Sequence, residues 1–508
     1  MQHDHREGLR EAASSLRNAA VPALAGRVAA SRSSAVRDLL HDARRPGMLS
    51  LAGGLPAPDQ FDVEGLREAM AGVMAEAPRA TLQYGTTEGE PALRAILAAG
   101  LRSRGASGVD DAAPLITTGS QQALDLVARA LLSAGDRVVV ERPAYLAALQ
   151  VFALAEAECI GVPGDVQGLR VDALPGAATG GQPVKLVYVV SNFANPTGAT
   201  LSLERRLALL EWAVARRVFV LEDDPYGALR VAGEHWPPLI ALASQVPGAS
   251  ALCGYVSSLS KILAPGLRIG YAVLPEWLRE PAVRIKQALD LHTSTLNQAV
   301  AARYLASDRL AQRMPALCQA YRERRDALCA ALAAAFGKAL RFEVPMGGMF
   351  IWAHFTDGTD TGSLLPRARD EGMIFVPGEA FYDAQPERNT LRLSFATATP
   401  DQLREAVARL VRAHRALHAA VGSPGVSAPM ADAPTVTVPA GAASAAGAPG
   451  TAIRDACVEA AQAAWESAGI SGLCADGRWE AAISAIRSLD PTAIGPTTAI
   501  GSSEPDRG

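Results

Sequence analysis

Only four of the 48 basic side chains are lysine: Lys185, Lys261, Lys286 and Lys338. A lysine nucleophile therefore comes from a short list. Lys261 stands in Ser257-Ser258-Leu259-Ser260-Lys261-Ile262-Leu263-Ala264-Pro265-Gly266-Leu267-Arg268, with hydroxyls before it, an apolar run after it and an arginine seven residues on. An apolar setting disfavours the ammonium by desolvation, which suits an amine that forms a Schiff base with a carbonyl. A solvated surface position is the commoner fate of lysine, but the flanking Gly254-Tyr255-Val256 and Ile262-Leu263-Ala264 read as buried sequence. Three other segments carry polar chemistry. Glu222-Asp223-Asp224-Pro225-Tyr226 offers carboxylates, and Asn192-Phe193-Ala194-Asn195-Pro196-Thr197-Gly198 offers amides in a turn. Thr118-Gly119-Ser120-Gln121-Gln122 offers a glycine, a hydroxyl and free N–H groups where a helix opens, a seat for phosphate. Taken singly, each also fits an ordinary loop, a tight turn or an N-cap.

The last three segments follow strand-like runs. Leu115-Ile116-Thr117 precedes the glycine turn and an apolar helix around Ala123 to Leu132. Arg137 to Val140, Lys185 to Val190 and Val218 to Leu221 are short β-branched runs separated by helical periodicity. That alternation predicts an α/β fold with a mostly parallel, doubly wound sheet, whose ligands sit at the carboxyl ends of the strands. From about residue 295 to 420, long helical stretches enclose strand-like segments at Gly348 to Trp352 and Thr390 to Phe395, a smaller α+β unit.

Composition narrows the function classes. In 508 residues, hydrophobic side chains make up 49% and charged ones 20%, as in ordinary globular proteins. The net charge of −4 gives no basic footprint for nucleic acid or an anionic membrane. No run approaches the roughly 20 apolar residues of a membrane span, and Met1-Gln2-His3-Asp4-His5 lacks a signal-peptide core. The six cysteines (Cys159, Cys253, Cys318, Cys329, Cys457, Cys474) are scattered, so reduced cytoplasmic thiols are expected, with neither a disulfide framework nor a metal site. After Val421 the composition breaks: Gly422 to Gly450 has a single charge, Asp432, and reads as a flexible linker. Beyond it, Ile453, Cys457, Ala461 and Trp465, then Trp479, Ile483 and Ile486, recur at helical spacing, a helical hairpin too small to hold a core alone.

Together the residues match what pyridoxal 5'-phosphate asks of a protein: a lysine for its aldehyde, a carboxylate for its ring nitrogen, and hydroxyls, an arginine and a helix N-terminus for its phosphate. The stretch from about 22 to 420 resembles a fold-type-I, class I/II pyridoxal-phosphate aminotransferase, nearest the branch of the 2-aminoadipate and kynurenine enzymes. Further family-like stretches are Leu51-Ala52-Gly53-Gly54-Leu55-Pro56, Leu82-Gln83-Tyr84-Gly85-Thr86, Leu289-Asp290-Leu291-His292-Thr293, Gly347-Gly348-Met349-Phe350 and Thr390-Leu391-Arg392-Leu393-Ser394. The resemblance implies a Schiff-base lysine at Lys261, which also carries the proton. It implies a pyridinium partner at Asp223, three residues before Tyr226, with Asp224 second in line. By the same token Tyr226 and Asn195 bond the ring hydroxyl, Tyr145 stacks on the ring, and Ser120, Gln121, Ser258 and Arg268 hold the phosphate, helped by Tyr84 from a neighbouring subunit; Ser260 is among the cofactor-binding residues. For the substrate it implies Arg392 on the α-carboxylate flanked by Gly54 and Asn195, and Arg37 on a distal carboxylate.

The resemblance thus implies a cytoplasmic homodimer with shared sites, moving an amino group from an amino acid to a 2-oxo acid by a ping-pong cycle. The alternative keeps the cofactor and changes the bond broken, giving decarboxylation, elimination or oxidation. A transcription regulator built on this fold would need an N-terminal winged helix, for which the expected helical arm at 1–45 leaves little room. The expected domains are a large cofactor-binding domain at 46–295, whose first part lies near the small domain, the small domain at 296–421, the linker at 422–450 and the hairpin at 451–508. Linker and hairpin are not part of the usual fold.

Overall fold

A computed structural model describes residues 24–29, 39, 42–176 and 183–422. The chain falls into two units, Met1–Pro424 and Gly425–Gly508, and every described residue lies in the first. Arg37, the linker from residue 423 and the hairpin lie outside the described residues.

The larger sheet has eight strands: β1 (Leu115–Thr117), β2 (Arg137–Arg142), β3 (Glu158–Asp165), β4 (Gly168–Leu169), β5 (Val184–Val190), β6 (Phe219–Asp223), β7 (Cys253–Ser258) and β8 (Gly270–Val273). Their order is β1-β8-β7-β6-β5-β2-β3-β4. From β7 to β3 the pairings are parallel, and β8 runs antiparallel to both β7 and β1. The β-branched runs are buried on both faces, as helix-covered parallel strands must be. In β5, Leu186, Tyr188 and Val190 join one core with α1 (Ser120–Leu131) and α2 (Leu146–Leu154), whereas Val187 and Val189 join another with α3 (Leu203–Arg216).

The register aligns the strand ends that matter. Val190 lies opposite Asp223, Asp223 opposite Val256, and Gly270 opposite both Ser258 and Thr117. Strands β3, β7 and β8 were not foreseen. Glu158-Cys159-Ile160-Gly161-Val162-Pro163-Gly164-Asp165 is a partly exposed strand broken by glycine and proline, and β7 and β8 spend part of their length on glycine and serine.

The second sheet is antiparallel, in the order β9 (Leu340–Phe342), β10 (Phe350–Phe355), β12 (Thr390–Ser394), β11 (Val376–Pro377). Helices α4 (Arg309–Phe336), α5 (Thr361–Asp370) and α6 (Pro400–Gly422) accompany it. The first strand among the described residues, Leu49–Ser50, pairs in parallel with Met373–Ile374 beside this sheet, and Ser394 donates its N–H to the Leu51 carbonyl at 2.8 Å. Residues 49–54 thus run from the small sheet into the mouth of the large one. No helix among the described residues is long and apolar enough to cross a membrane.

Candidate active site

At the carboxyl ends of β5, β6 and β7 lies a cavity of about 370 Å³. Its lining includes Gly54, Ser120, Gln121, Tyr145, Asn195, Asp223, Tyr226, Ser258, Ser260, Lys261, Arg268 and Arg392. Segments as far apart as residues 54 and 392 thus converge on one space. Tyr84 is not among them: it is 77% exposed and meets His292 edge-on at 5.7 Å.

Strand geometry decides which acid faces the cavity. Successive residues of a strand point to opposite faces. Glu222 takes bonds from the Ser191 hydroxyl at 2.5 Å and Arg206 at 3.2 Å, with Glu222 and Arg206 both fully buried. Asp224 takes bonds from Arg104 at 2.6 Å, Asn192 at 2.8 Å and Tyr255 at 3.1 Å. Both are consumed beneath the sheet. Burial alone would raise Asp224, but the Arg104 and Arg206 charges and these bonds hold it below the usual carboxylate range. Asp223 points the other way. Its Oδ2 accepts the Tyr188 hydroxyl at 2.7 Å, and its buried Oδ1 has no partner. Burial, against the Tyr188 bond and with the Asp224 and Glu222 charges, pushes it up to about 7.

Lys261 is placed by a turn that the serines build. The Ser258 hydroxyl accepts the Ser260 N–H at 3.1 Å and donates to the Ser260 hydroxyl or to the Ile269 carbonyl, capping the short 3-10 turn Leu259–Lys261. The ammonium donates to the Gly54 carbonyl at 2.8 Å. Burial first, then the Arg268 and Arg392 charges, lower it to about 8, with Asp223 opposing.

Helix α1 opens on Gly119 at φ +80°, with no side chain capping its first N–H groups. A Cβ at Gly119 would stand 2.5 Å from an Arg268 nitrogen, and one at Gly270 would stand 2.4 Å from the Gly119 carbonyl carbon. Gly119 is glycine for its positive φ, and Gly270 because the backbone of Gly119 and Ser120 passes too close for a Cβ. Arg268 itself holds φ +54°, left-handed backbone that a non-glycine residue adopts at a cost, as functional loops often do.

Arg392 reaches the cavity from β12. Its Nη1 donates to the Asn195 side chain at 2.8 Å and its Nη2 to the Ala52 carbonyl at 2.5 Å. The guanidinium lies 4.3 Å from the Phe350 ring centroid and 4.9 Å from that of Phe381. Its Nε is buried without a partner, and burial lowers the group to about 10. This is a desolvated cation packed on two aromatic rings, ready for a planar anion.

The expected cofactor can be set against these atoms. A protonated pyridine nitrogen supplies the donor that Asp223 Oδ1 lacks, and a phosphate suits the uncapped N–H groups of α1 beside Arg268. The donor set fits pyridoxal phosphate. Sequence reasoning did not single out Tyr188, whose one signal is a tyrosine within the aliphatic run Leu186 to Val190. It also missed the Ala52 carbonyl, which no side-chain pattern can reveal.

Comparison with known proteins agrees with this architecture. The family model described as aminotransferase class I and II matches residues 47–410. The chain is similar to an aromatic-amino-acid aminotransferase of Thermococcus litoralis, 39% identical, with 75% of this chain and 91% of that protein aligned. It is similar to a 2-aminoadipate transaminase of Thermus thermophilus, 38% identical, with 78% and 97% aligned. Among solved structures, the alpha-aminoadipate aminotransferase of Thermus thermophilus, complexed with N-(5'-phosphopyridoxyl)-L-leucine, superposes with a TM-score of 0.71 at 36% identity, covering 78% of this chain and 98% of that one. The Pyrococcus horikoshii kynurenine aminotransferase superposes with a TM-score of 0.72 at 38% identity, covering 79% and 98%.

Proposed function

The chain belongs to the class I and II aminotransferases and depends on pyridoxal phosphate, and on that premise we propose that it moves the amino group of an amino acid to a 2-oxo acid by a ping-pong cycle, with Lys261 as covalent anchor and proton carrier. When bound, the cofactor supplies an aldehyde that condenses with amines and a ring that draws electrons from the bonds at the substrate's α-carbon.

The protein's own residues do the rest. Asp223 Oδ1 would accept the ring N–H and keep it protonated. Tyr145 would stack on the ring, Tyr226 and Asn195 would bond the ring hydroxyl, Ser120, Gln121, Ser258 and Arg268 would hold the phosphate, and Ser260 would line the cofactor site with them. Arg392 takes the substrate α-carboxylate beside Gly54 and Asn195. Lys261, lowered to about 8, is partly neutral near physiological pH and so can take a proton from the α-carbon and return it. The rest of the cavity wall includes Leu55, Leu146, Ala147 and Gln150, left for the donor's side chain. Arg37 is the proposed reader of a distal carboxylate when the donor has one.

The enzyme is further proposed to be a cytoplasmic homodimer in which Tyr84 of one subunit completes the phosphate site of the other. An apolar surface supports this: Leu82, Tyr84, Leu289 and Leu291 are all exposed, and the Thr295 hydroxyl bonding the Thr81 carbonyl at 2.6 Å holds their two segments together. The proposed domains remain a large domain at 46–295, a small one at 296–421, a linker and a C-terminal hairpin.

One observation carries this reading: a depressed lysine, a carboxylate oxygen without a donor and a desolvated arginine line a single cavity. The experiment is a donor screen that follows the cofactor's absorbance and oxo-acid release, using aromatic, acidic and aliphatic amino acids. Stoichiometric conversion by some donors, reversed by a 2-oxo acid, is expected. Carbon dioxide or ammonia released without reversible amine transfer would overturn it.

A further inference from the structure

Helix α6 carries His414 and His418 four residues apart, hence on one face. The loop between β10 and α5 carries Asp357 and Thr359, turned by Gly358 at φ +78°. The two imidazole Nε2 atoms lie 3.2 Å apart, and Asp357 Oδ2 is 3.3 Å from His414 Nε2 and 3.4 Å from His418 Nε2. These three atoms form a nearly equilateral triangle. A tetrahedral ion with ligand bonds of about 2.0–2.1 Å sets ligand-to-ligand edges of roughly 3.4 Å. We propose that His414, His418 and Asp357 bind a divalent metal ion of the zinc class through these three atoms, beside the Thr359 hydroxyl.

The surroundings are built to hold the ligands in place. The N–H and the hydroxyl of Thr359 both bond Asp357 Oδ1, at 3.0 and 2.7 Å, which turns Oδ2 toward the imidazoles. Supporting bonds of this kind orient metal-binding carboxylates. The His414 ring stacks on Phe355 at 4.8 Å and 14° and meets Phe336 edge-on, so its rotation is fixed. The Thr359 hydroxyl, which gives its hydrogen to Asp357 Oδ1, also lies 3.1 Å from His414 Nε2 and 3.0 Å from His418 Nε2, so an ion binding here requires each imidazole to carry its proton on Nδ1. Two nitrogens and one carboxylate oxygen suit zinc-like ions better than magnesium or calcium, which favour all-oxygen sites.

The site is separate from the reaction. Phe350, at one end of β10, packs on the Arg392 guanidinium, while Phe355, at the other end, lies under His414. Five residues of strand put about 17 Å between them. An ion here would tie α6 to the loop before α5 and act on stability. The sequence reading expected no metal: histidines four apart are common on helices, and the third ligand stands 57 residues before the first.

The test uses the full-length holoenzyme, freed of metal with a chelator and titrated with zinc against a chromophoric competitor. Thermal unfolding is followed with and without zinc. The comparison variants are His418→Gln and Asp357→Asn, both on exposed positions. His3, His5 and the thiols can also take zinc, so the difference between wild type and variants is what counts. Losing even a residue that orients a ligand typically weakens binding about 10–100-fold. At least about a tenfold loss of the tightest zinc equivalent is therefore expected in each variant, together with loss of the zinc-dependent rise in Tm and no change in amine transfer. Cobalt substitution should give the intense visible bands of a tetrahedral site in the wild type and weaken them in the variants. Equal zinc affinity and equal Tm response in wild type and both variants would overturn the proposal, as would a wild type with no zinc response at all.

Discussion

Tyr188 donates its hydroxyl to Asp223 Oδ2 at 2.7 Å and leaves Oδ1 buried without a partner. The tyrosine fixes the carboxylate's rotation without satisfying it, so the free oxygen is held in place for a cationic donor.

That arrangement has a pH signature in the cofactor-free chain. Asp223 stands at about 7 when folded against 3.8 for the ordinary group. A folded value above the unfolded one means that this group's contribution is fully present below about pH 4 and lost as pH rises through about 7. At about 1.36 kcal/mol per pKa unit, the loss is about 4 kcal/mol. Cofactor-free Asp223→Asn, unfolded in urea at pH 6 and pH 8, is expected to show a smaller fall in stability than the wild type. An unchanged pH slope would show that Asp223 is not the buried charge.

Replacing Arg392 by alanine leaves any bound carboxylate without its clamp. Removing one partner of a desolvated charge pair costs about 2–5 kcal/mol, roughly 30- to several-thousand-fold in kcat/KM. Every amino donor should suffer alike, because each carries the α-carboxylate. Arg392→Lys should rescue little, since a point charge cannot copy the planar fork packed on Phe350 and Phe381. Selective loss for one donor class would assign Arg392 to side-chain recognition instead.

Lys261 is expected to carry the cofactor. Borohydride reduction of the holoenzyme followed by peptide mapping should find the label on the peptide containing Lys261. A label on Lys185, Lys286 or Lys338 would refute the assignment. The structure already commits two of these: Lys185 pairs with Asp136 at 2.7 Å and Lys286 with Asp290 at 2.7 Å.

Shared sites can be tested by mixing dead subunits. Lys261→Ala and Tyr84→Ala chains, each inactive as homodimers, should complement to one working site per heterodimer. A heterodimer confirmed by mass but without activity would leave Tyr84 as a surface aromatic of its own subunit.

Arg37 is tested by ratio. Arg37→Ala should lower kcat/KM for aminoadipate or glutamate and spare apolar donors. An unchanged acidic-to-apolar ratio would remove the distal-carboxylate role.

Much of this molecule was legible in its sequence where chemistry and periodicity coincide. Lys261 was marked by scarcity and by its serines, and β2, β5 and β6 by β-branched runs. Asp223 and Asp224 could not be ranked by composition. The structure separates them because alternation along β6 sends one to the cavity and the other to Arg104. Strands β7 and β8 escaped because they give up apolar residues for the site: Ser258 turns toward Lys261, and Gly270 must be glycine to pass Gly119. The Asp357–His414–His418 group was invisible because its members come from two elements that only packing joins.

The bond from Arg392 to the Ala52 carbonyl spans 340 residues. During synthesis, the groups proposed to hold the cofactor, from Ser120 to Arg268, leave the ribosome well before Arg392. At about 5–20 residues per second, the intervening stretch takes roughly 6–25 s to make. Residues 49–54 must wait longer still for Met373–Ile374 and Arg392 to appear. A nascent chain can therefore assemble its own share of the cofactor seat while its substrate clamp does not yet exist. Loop closure over so long a span is entropically costly and slow. Capacity to bind the cofactor should thus precede capacity to bind substrate in the life of every newly made molecule.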